Sequence, residues 1–153
     1  MVGLSSELLL LHKVCNEILL DGYAAVHLRE VTEADAGYPS REFVRAAIEL
    51  RGQRPARPPG IWLGSVRELL ETAGAHFPLV TLHRERTYPD SCWIGRLVDV
   101  DERRVTIEGI DTSARWDGLE RYSLRSLTLV EFGGLYEEAL TLVTRGGPRR
   151  RSR

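Results

Sequence analysis

The chain has 153 residues, of which 42% are hydrophobic, and 21 basic side chains against 22 acidic ones leave a formal net charge of −1. This length suffices for one hydrophobic core without a disulfide framework or a structural metal. The apolar runs fall far short of the roughly 18 residues that a membrane-spanning helix requires. Cys15 and Cys92 lie far apart within apolar stretches, which indicates reduced core thiols, so we expect a cytoplasmic protein without membrane partners.

The charge is unevenly distributed along the chain. Residues 1–50 carry 4 cations and 8 anions, and residues 61–144 carry 9 cations and 14 anions. Positive charge is concentrated in residues 51–60, with three arginines, and in residues 145–153, with five. Both cationic segments are rich in Gly and Pro, and the second is predicted to be a disordered basic tail.

The N-terminal region, residues 1–50, predicts the order helix, strand, helix. A first helix is predicted over residues 5–20, because apolar side chains recur there at helical spacing, at Leu8, Leu11, Cys15 and Ile18. Alternating side chains in YAAVHLREV predict a strand over residues 23–31 with one buried face.

Two further helices are predicted on either side of a linker. The first covers residues 41–50, with its inward stripe at Phe43, Ala47 and Leu50. The linker, residues 51–62, is rich in Pro and Arg. The next helix covers residues 65–73, with Ser65 as its cap, Gly74 as its stop and an inward stripe at Val66, Leu69 and Leu70.

Residues 77–132 contain short apolar stretches separated by Gly, Pro and Asp. The stretches read FPLVTLHRE, SCWIGRLVDV, RRVTIEGI and YSLRSLTLVEF, and a helix over residues 135–143 closes the region. So many short strands with tight turns predict a small, bent antiparallel β-barrel, with Gly95 at a sharp bend and Trp116 in a loop. The predicted fold class is α+β, with the N-terminal helices packed on the barrel.

The domain boundaries follow from these elements. Residues 63–144 would hold one helix, the barrel and the closing helix. The segment EILLDGYAAVHLRE resembles ELLETAGAHFPLVTLHRE, which favours one sheet that includes strand 23–31. Residues 1–144 are therefore predicted to form one structural domain.

The stretch CWIGRLVDVDERRVTIEGI resembles the first motif of the Sm-like (SH3-like) small β-barrels, and YSLRSLTLVEF lies where their second motif is expected. The region also resembles small bacterial proteins that end in an FGG-YEEAL-type signature. The resemblance implies a barrel that binds RNA or assembles through its strand edges. The positions that correspond to the family's RNA contacts hold Glu102-Arg103 and Arg125-Ser126 here, where the family has Asn and Arg-Gly.

Two kinds of binding partner fit the barrel region. Tryptophan and arginine side chains are the candidate interaction surface, at Trp62, Trp93, Trp116, Arg84, Arg86, Arg96, Arg103, Arg104, Arg121 and Arg125. Arginine beside aromatic rings can contact phosphates and bases, which would indicate RNA. The acidic balance of residues 61–144 counts against RNA, and large anchors with exposed strand edges favour a protein partner or a homo-oligomer.

The sequence contains no recognisable catalytic or metal-binding motif. The polar candidates are His83 with Glu85, and Asp90 with Ser91 and Cys92, and an enzyme requires such groups to converge. His12 and Cys15 have the spacing of two metal ligands without a matching second pair. We therefore expect a non-enzymatic binding or assembly module without metal or cofactor, with an RNA-binding protein as the alternative and an enzyme of unknown reaction as the third possibility.

Overall fold

The structure, a computed structural model, describes residues 1–35 and 37–146. The strands are β1 (Gly3–Leu4), β2 (Leu8–Val14), β3 (Leu20–His27), β4 (Val80–His83), β5 (Cys92–Val100), β6 (Arg104–Ile110), β7 (Trp116–Ser123) and β8 (Leu129–Phe132). The helices are α1 (Arg41–Leu50), α2 (Val66–His76) and α3 (Leu135–Gly146), with 3₁₀ turns at Leu28–Glu30 and Leu124–Ser126. Within the described residues, no helix is long and apolar enough to span a bilayer.

All eight strands form one antiparallel sheet in the order β1-β2-β3-β8-β4-β5-β6-β7. The predicted α+β class and the C-terminal helix are confirmed. The predicted barrel is wrong, because the sheet over residues 1–35 and 37–146 is open. Strand β8 returns to pair with β4, but its other edge is occupied by β3, which leaves β7 without a partner for closure. The strand predicted over residues 23–31 is β3, which begins at Leu20 and ends at His27 before a 3₁₀ turn. It belongs to the same sheet as the C-terminal strands, as predicted.

The main core lies between the sheet and α2. Its buried side chains come from β2, β3, β4, β6, β8, α2 and the segment before α2, and include Leu10, Val80, Ile107, Phe132, Leu69 and Ile61. A smaller cluster joins Leu79 and Ile110 to Leu140 of α3. Because successive strand residues face opposite sides, Leu79 and Val80 belong to the two different clusters. The two helices therefore pack on opposite faces of the sheet.

The predicted helix over residues 5–20 is wrong, because this segment forms β2 and the beginning of β3. Leu8 and Leu10 are fully buried on one face, and Leu10 pairs with Ala25 across the hairpin. Near Ser5 the chain turns, and the Ser5 hydroxyl accepts a hydrogen bond from the Leu8 amide at 3.0 Å. A run of four leucines satisfies both helical and strand spacing, and pairing with β3 buries it as a strand.

The predicted helices after the first 40 residues are present, with corrections to two details. Helix α1 has the predicted bounds, but Phe43 and Leu50 are exposed and Ile48 is the buried residue. Helix α2 begins after Ser65, whose hydroxyl accepts from the Glu68 amide at 3.2 Å, and it buries the predicted stripe. Gly74 does not end α2, because the helix continues to His76 and Gly74 packs against the Leu97 side chain.

Two details of the C-terminal strands follow from local backbone geometry. A Cβ added at Gly95 would lie 2.5 Å from the carbonyl oxygen of Glu108, so glycine lets β5 and β6 approach closely. Trp116, predicted in a loop, is the first residue of β7, which is followed by a 3₁₀ turn and then β8. The stretch from Tyr122 to Phe132 therefore contributes to two strands.

The predicted linker and tail have different outcomes. Residues 51–62 contain no helix or strand, yet Ile61 is buried in the main core and its carbonyl accepts from Arg57 at 2.6 Å. In the predicted basic tail, Arg145 and Gly146 belong to α3. The rest of that predicted tail lies outside the described residues.

Candidate functional site

Strand β7 is the long free edge of the sheet. Its eight residues contrast with the two of β1 at the other edge. The Leu124 amide donates to the Arg103 carbonyl at 2.8 Å, at the end of the β6–β7 ladder. Along an antiparallel ladder, hydrogen-bonded residue pairs alternate with pairs that are not hydrogen-bonded to each other. By this alternation Leu119 and Arg121 direct their backbone N–H and C=O groups away from β6. Outside the strand ladders, no hydrogen bond in the described chain occupies these four groups.

Apolar side chains lie along this free edge. Leu119 is 70% exposed, and Trp116 is also exposed, with the guanidinium of Arg96 at 5.0 Å from its ring centroid. Arg96 belongs to β5, two strands from the edge, and lies beside the ring of Trp116. The edge is thus a mixture of apolar and cationic side chains beside unused backbone groups.

The seven predicted arginines divide into two groups. Arg86 pairs with Glu30, and Arg96 pairs with Glu108, so these two have the acidic neighbours of an ordinary solvated surface. The other five have no carboxylate within ion-pair distance among residues 1–35 and 37–146, namely Arg84, Arg103, Arg104, Arg121 and Arg125.

Three of the unpaired arginines share one concavity, where β6 begins and β7 ends. Arg103, Arg104 and Arg125 line it with Ser123 and Leu124. Glu102 also lines it, but its carboxylate pairs with Arg67 of α2. Arg121 of β7 donates from its Nε to the hydroxyl of Thr106 on β6 at 3.3 Å. The turn between β5 and β6 and the 3₁₀ turn Leu124–Ser126 therefore bring together cations that are distant in sequence.

Arg84 lies among three aromatic rings. Its guanidinium carbon is 5.1 Å from the ring centroid of Tyr88 and 5.4 Å from those of Trp93 and Tyr122. Trp93 contacts both tyrosines, at 5.5 Å and 5.3 Å between ring centroids. The Arg84 Nε donates to the Ser126 hydroxyl at 3.1 Å. We call these four residues, Arg84, Tyr88, Trp93 and Tyr122, the arginine–aromatic cluster.

The cluster is anchored from one side. Trp93 and Tyr122 pack against the main core, whereas Tyr88 is exposed. Burial and the hydrogen bond from its hydroxyl to Glu120 raise the pKa of Tyr122, so the hydroxyl stays protonated and continues to donate to Glu120. Sequence reasoning named Arg84 and Trp93, but it did not predict that the rings would converge on one guanidinium.

The three predicted tryptophans lie in three different environments. Trp62 is 64% exposed on the segment before α2, where its amide donates to the Thr72 hydroxyl at 3.1 Å. Trp93 belongs to the arginine–aromatic cluster, and Trp116 begins the free edge. The Pro-Pro-Gly segment just before Trp62 predicts an exposed side chain there, and this exposure is confirmed.

The candidate catalytic residues do not meet at one point. His83 Nε2 is 2.8 Å from Glu131, whereas the Glu85 carboxylate accepts from the Thr128 hydroxyl at 3.3 Å. In the described chain, no hydrogen bond or ion pair joins His83, Glu85 and Asp90. Cys92 lies opposite His83 in the β4–β5 register, and it is exposed and not a core thiol as predicted. Partial desolvation of the sulfur and the carboxylates of Glu131 and Glu137 raise the pKa of the Cys92 thiol, which disfavours the nucleophilic thiolate.

Glu131 connects strands β4 and β8 to the N-terminal hairpin. It accepts from Lys13 Nζ at 2.6 Å as well as from His83. Burial opposes its ionisation, but the hydrogen bonds from His83 and Lys13 outweigh that effect and lower the pKa of Glu131 to about 2. The sequence offers no signal for this three-residue network, because its members are up to 118 positions apart.

The two predicted metal-ligand candidates have other neighbours. The His12 ring stacks on Tyr23 at 4.3 Å, and its Nδ1 accepts from the Ala56 amide at 3.3 Å. Residues 1–35 and 37–146 contain no group of three or more His, Cys, Asp or Glu side chains suited to a metal ion.

No family model, no curated protein and no solved structure matches this chain. The resemblance to the Sm-like barrels therefore rests on the sequence motifs alone.

Proposed function

We propose that this protein is a non-enzymatic binding module that assembles with protein by adding a strand to β7, and that a second copy of the chain is one such partner. The observation that carries this proposal is the pair of outward-facing backbone positions at Leu119 and Arg121 on an eight-residue edge strand. Long edges with unused N–H and C=O groups are templates for strand addition.

The side chains of β7 support pairing between two copies. In an antiparallel pair centred on Leu119, the two Leu119 side chains would meet. The exposed side chain of Leu119 would be removed from water in such a pair. The acidic surface of the chain does not oppose a contact made through backbone groups and one leucine.

A proline at position 119 tests the backbone contact. Leu119→Pro removes an N–H that β6 does not use, so it should abolish self-association while leaving the β6–β7 ladder intact. We expect wild type to show a concentration-dependent rise in mass toward a dimer by sedimentation velocity, and the proline variant to stay monomeric.

Two control variants separate backbone pairing from loss of an exposed leucine. Leu119→Thr retains the N–H and should weaken association only partly, whereas Leu142→Thr, at an exposed position of α3, should behave as wild type. Thermal unfolding checks that each variant is folded. A wild type that stays monomeric up to high micromolar concentration would contradict self-association.

RNA binding is the second candidate, and a specific observation favours it. Arg103, Arg104 and Arg125 line one concavity and have no ion pair in the described part of the chain. Arginines that form no ion pair are available to contact phosphates.

The RNA candidate predicts a loss of affinity and of salt dependence. Changing all three arginines to glutamine should weaken binding of a fluorescein-labelled oligouridine at least tenfold and lower the salt slope by about 2, since each single-strand phosphate contact contributes about 0.7. Fluorescence anisotropy at several salt concentrations measures both. Arg45→Gln, whose arginine pairs with Glu49, is the matched control. Equal affinity in the triple variant would remove this candidate.

A further inference from the structure

Arg84 is a half-buried cation that forms no ion pair with the described residues. Its guanidinium contacts three rings and the Ser126 hydroxyl, and in the described residues it has no carboxylate partner. The nearby acids are engaged elsewhere, since Glu120 accepts from the Tyr122 hydroxyl and Glu85 contacts Thr128. Ring faces attract a cation, but they do not neutralise its charge. A partly desolvated charge without a partner is costly, so an external anion would stabilise it.

The guanidinium is also prepared to bind such an anion. Nε is used by Ser126, and the four N–H donors on the two terminal nitrogens have no hydrogen-bond partner within residues 1–35 and 37–146. Packing against three rings restricts the side chain, which lowers the entropy lost when a ligand binds. A planar guanidinium held in this way matches the two oxygens of a carboxylate.

The composition of the arginine–aromatic cluster favours a protein ligand. Trp, Tyr and Arg are the residue types that dominate binding energy at protein interfaces, above all where they cluster on a packed support. Trp93 and Tyr122 supply that support and Tyr88 is the exposed ring. Ser126, which holds Arg84, follows Arg125, which has no ion pair in the described chain and adds local positive charge.

We propose that the arginine–aromatic cluster is a docking site for an acidic segment of a partner protein, in which an Asp or Glu carboxylate binds the Arg84 guanidinium. The inference rests on the proposed protein-binding function and adds a second contact outside the β7 edge. The overall acidity of the chain slows approach of an acidic partner, so the site provides specificity through a bidentate contact and not through long-range attraction.

The test is a titration followed by nuclear magnetic resonance. The probe is the capped peptide acetyl-GEGEGEG-amide, and its matched control has glutamine in place of each glutamate. We expect the glutamate peptide alone to shift the Arg84 Nε–H and the Trp93 indole N–H signals. Arg84→Gln should weaken binding at least tenfold. Arg84→Lys retains the positive charge beside the three aromatic rings but loses the planar guanidinium that can bind both carboxylate oxygens. It should weaken peptide binding about threefold or more.

Further variants decide between a specific site and general charge. Arg86→Gln, two residues away and paired with Glu30, should bind the peptide as wild type does. An equal loss in Arg86→Gln, or no shift of the Arg84 signal, would overturn the inference. So would oligouridine or inorganic phosphate that shifts the same signals at lower concentration than the peptide does.

The failure of this inference is distinct from failure of strand addition. Leu119→Pro should bind the peptide normally, because β7 pairing does not use Arg84. A wild type that dimerises but leaves the Arg84 signal unchanged would remove only the acidic-segment site. A monomeric wild type whose Arg84 signal shifts would remove only the self-association.

Discussion

Replacing Phe132 with alanine is expected to lower the free energy of unfolding by about 4 kcal/mol. The side chain is fully buried, and its ring lies 5.0 Å from that of Phe77 and 5.5 Å from that of Tyr23. It belongs to β8, where strands from both ends of the chain pair. A cavity at this position therefore removes contacts that join the N-terminal hairpin to the C-terminal strands.

Urea denaturation followed by circular dichroism measures this loss. Leu142→Ala, at an exposed position of α3, is the control and should change stability by less than about 0.5 kcal/mol. A loss of under about 1 kcal/mol for Phe132→Ala would show that β8 is not the centre of the cooperative core. Unfolding in two separate transitions would indicate that the hairpin and the C-terminal strands do not unfold together.

The second large effect is acid destabilisation through Glu131. The pKa of Glu131 in the folded protein is lowered to about 2 from an ordinary 4.5, because hydrogen bonds from His83 and Lys13 outweigh the effect of burial. Between these values the unfolded chain binds a proton at Glu131 and the folded chain does not, so stability falls as the pH falls. The contribution is present above about pH 4.5 and is lost toward pH 2, with a magnitude of about 3 kcal/mol.

Glu131→Gln should therefore flatten the pH dependence of stability between pH 5 and 2 and lower stability at neutral pH by about 2 kcal/mol. Chemical denaturation at several pH values measures both effects. Other carboxylates with lowered pKa, such as Glu30, titrate in the same range, so the difference between variant and wild type is the informative quantity. Glu138→Gln, at an exposed position of α3, should follow the wild-type curve. Parallel curves for Glu131→Gln and wild type would contradict the assignment.

The candidate sites could be predicted only in part. Arginine and aromatic side chains in residues 77–132 indicate a binding surface. The exposure of Trp62 can be predicted from the Pro-Pro-Gly segment that precedes it. Which arginines keep an unpaired charge could not be predicted, because Arg86 finds Glu30 some 56 positions earlier in the chain. The arginine–aromatic cluster likewise needs the β4–β5 turn and the end of β7 to meet, which local spacing does not encode.

The sequence by itself determined the elements whose periodicity is unambiguous. The bounds of α1 and the starts of α2 and α3 follow from helical periodicity, and the strands β4 and β6 follow from alternation over short windows. The buried stripe follows from the sequence only in α2, where Ser65 also caps the helix. Local hydrogen bonds and side-chain spacing are sufficient for such elements, because each is formed within a few neighbouring residues.

Only the tertiary structure decided the rest. The Leu8 to Leu11 run became a strand because pairing with β3 buries Leu8 and Leu10 together, a contact between residues about fifteen positions apart. The sheet stayed open because β3 occupies the edge of β8 that closure would need, and this choice depends on strands more than 100 positions apart. The free β7 edge, on which the proposed function rests, is thus a consequence of long-range pairing.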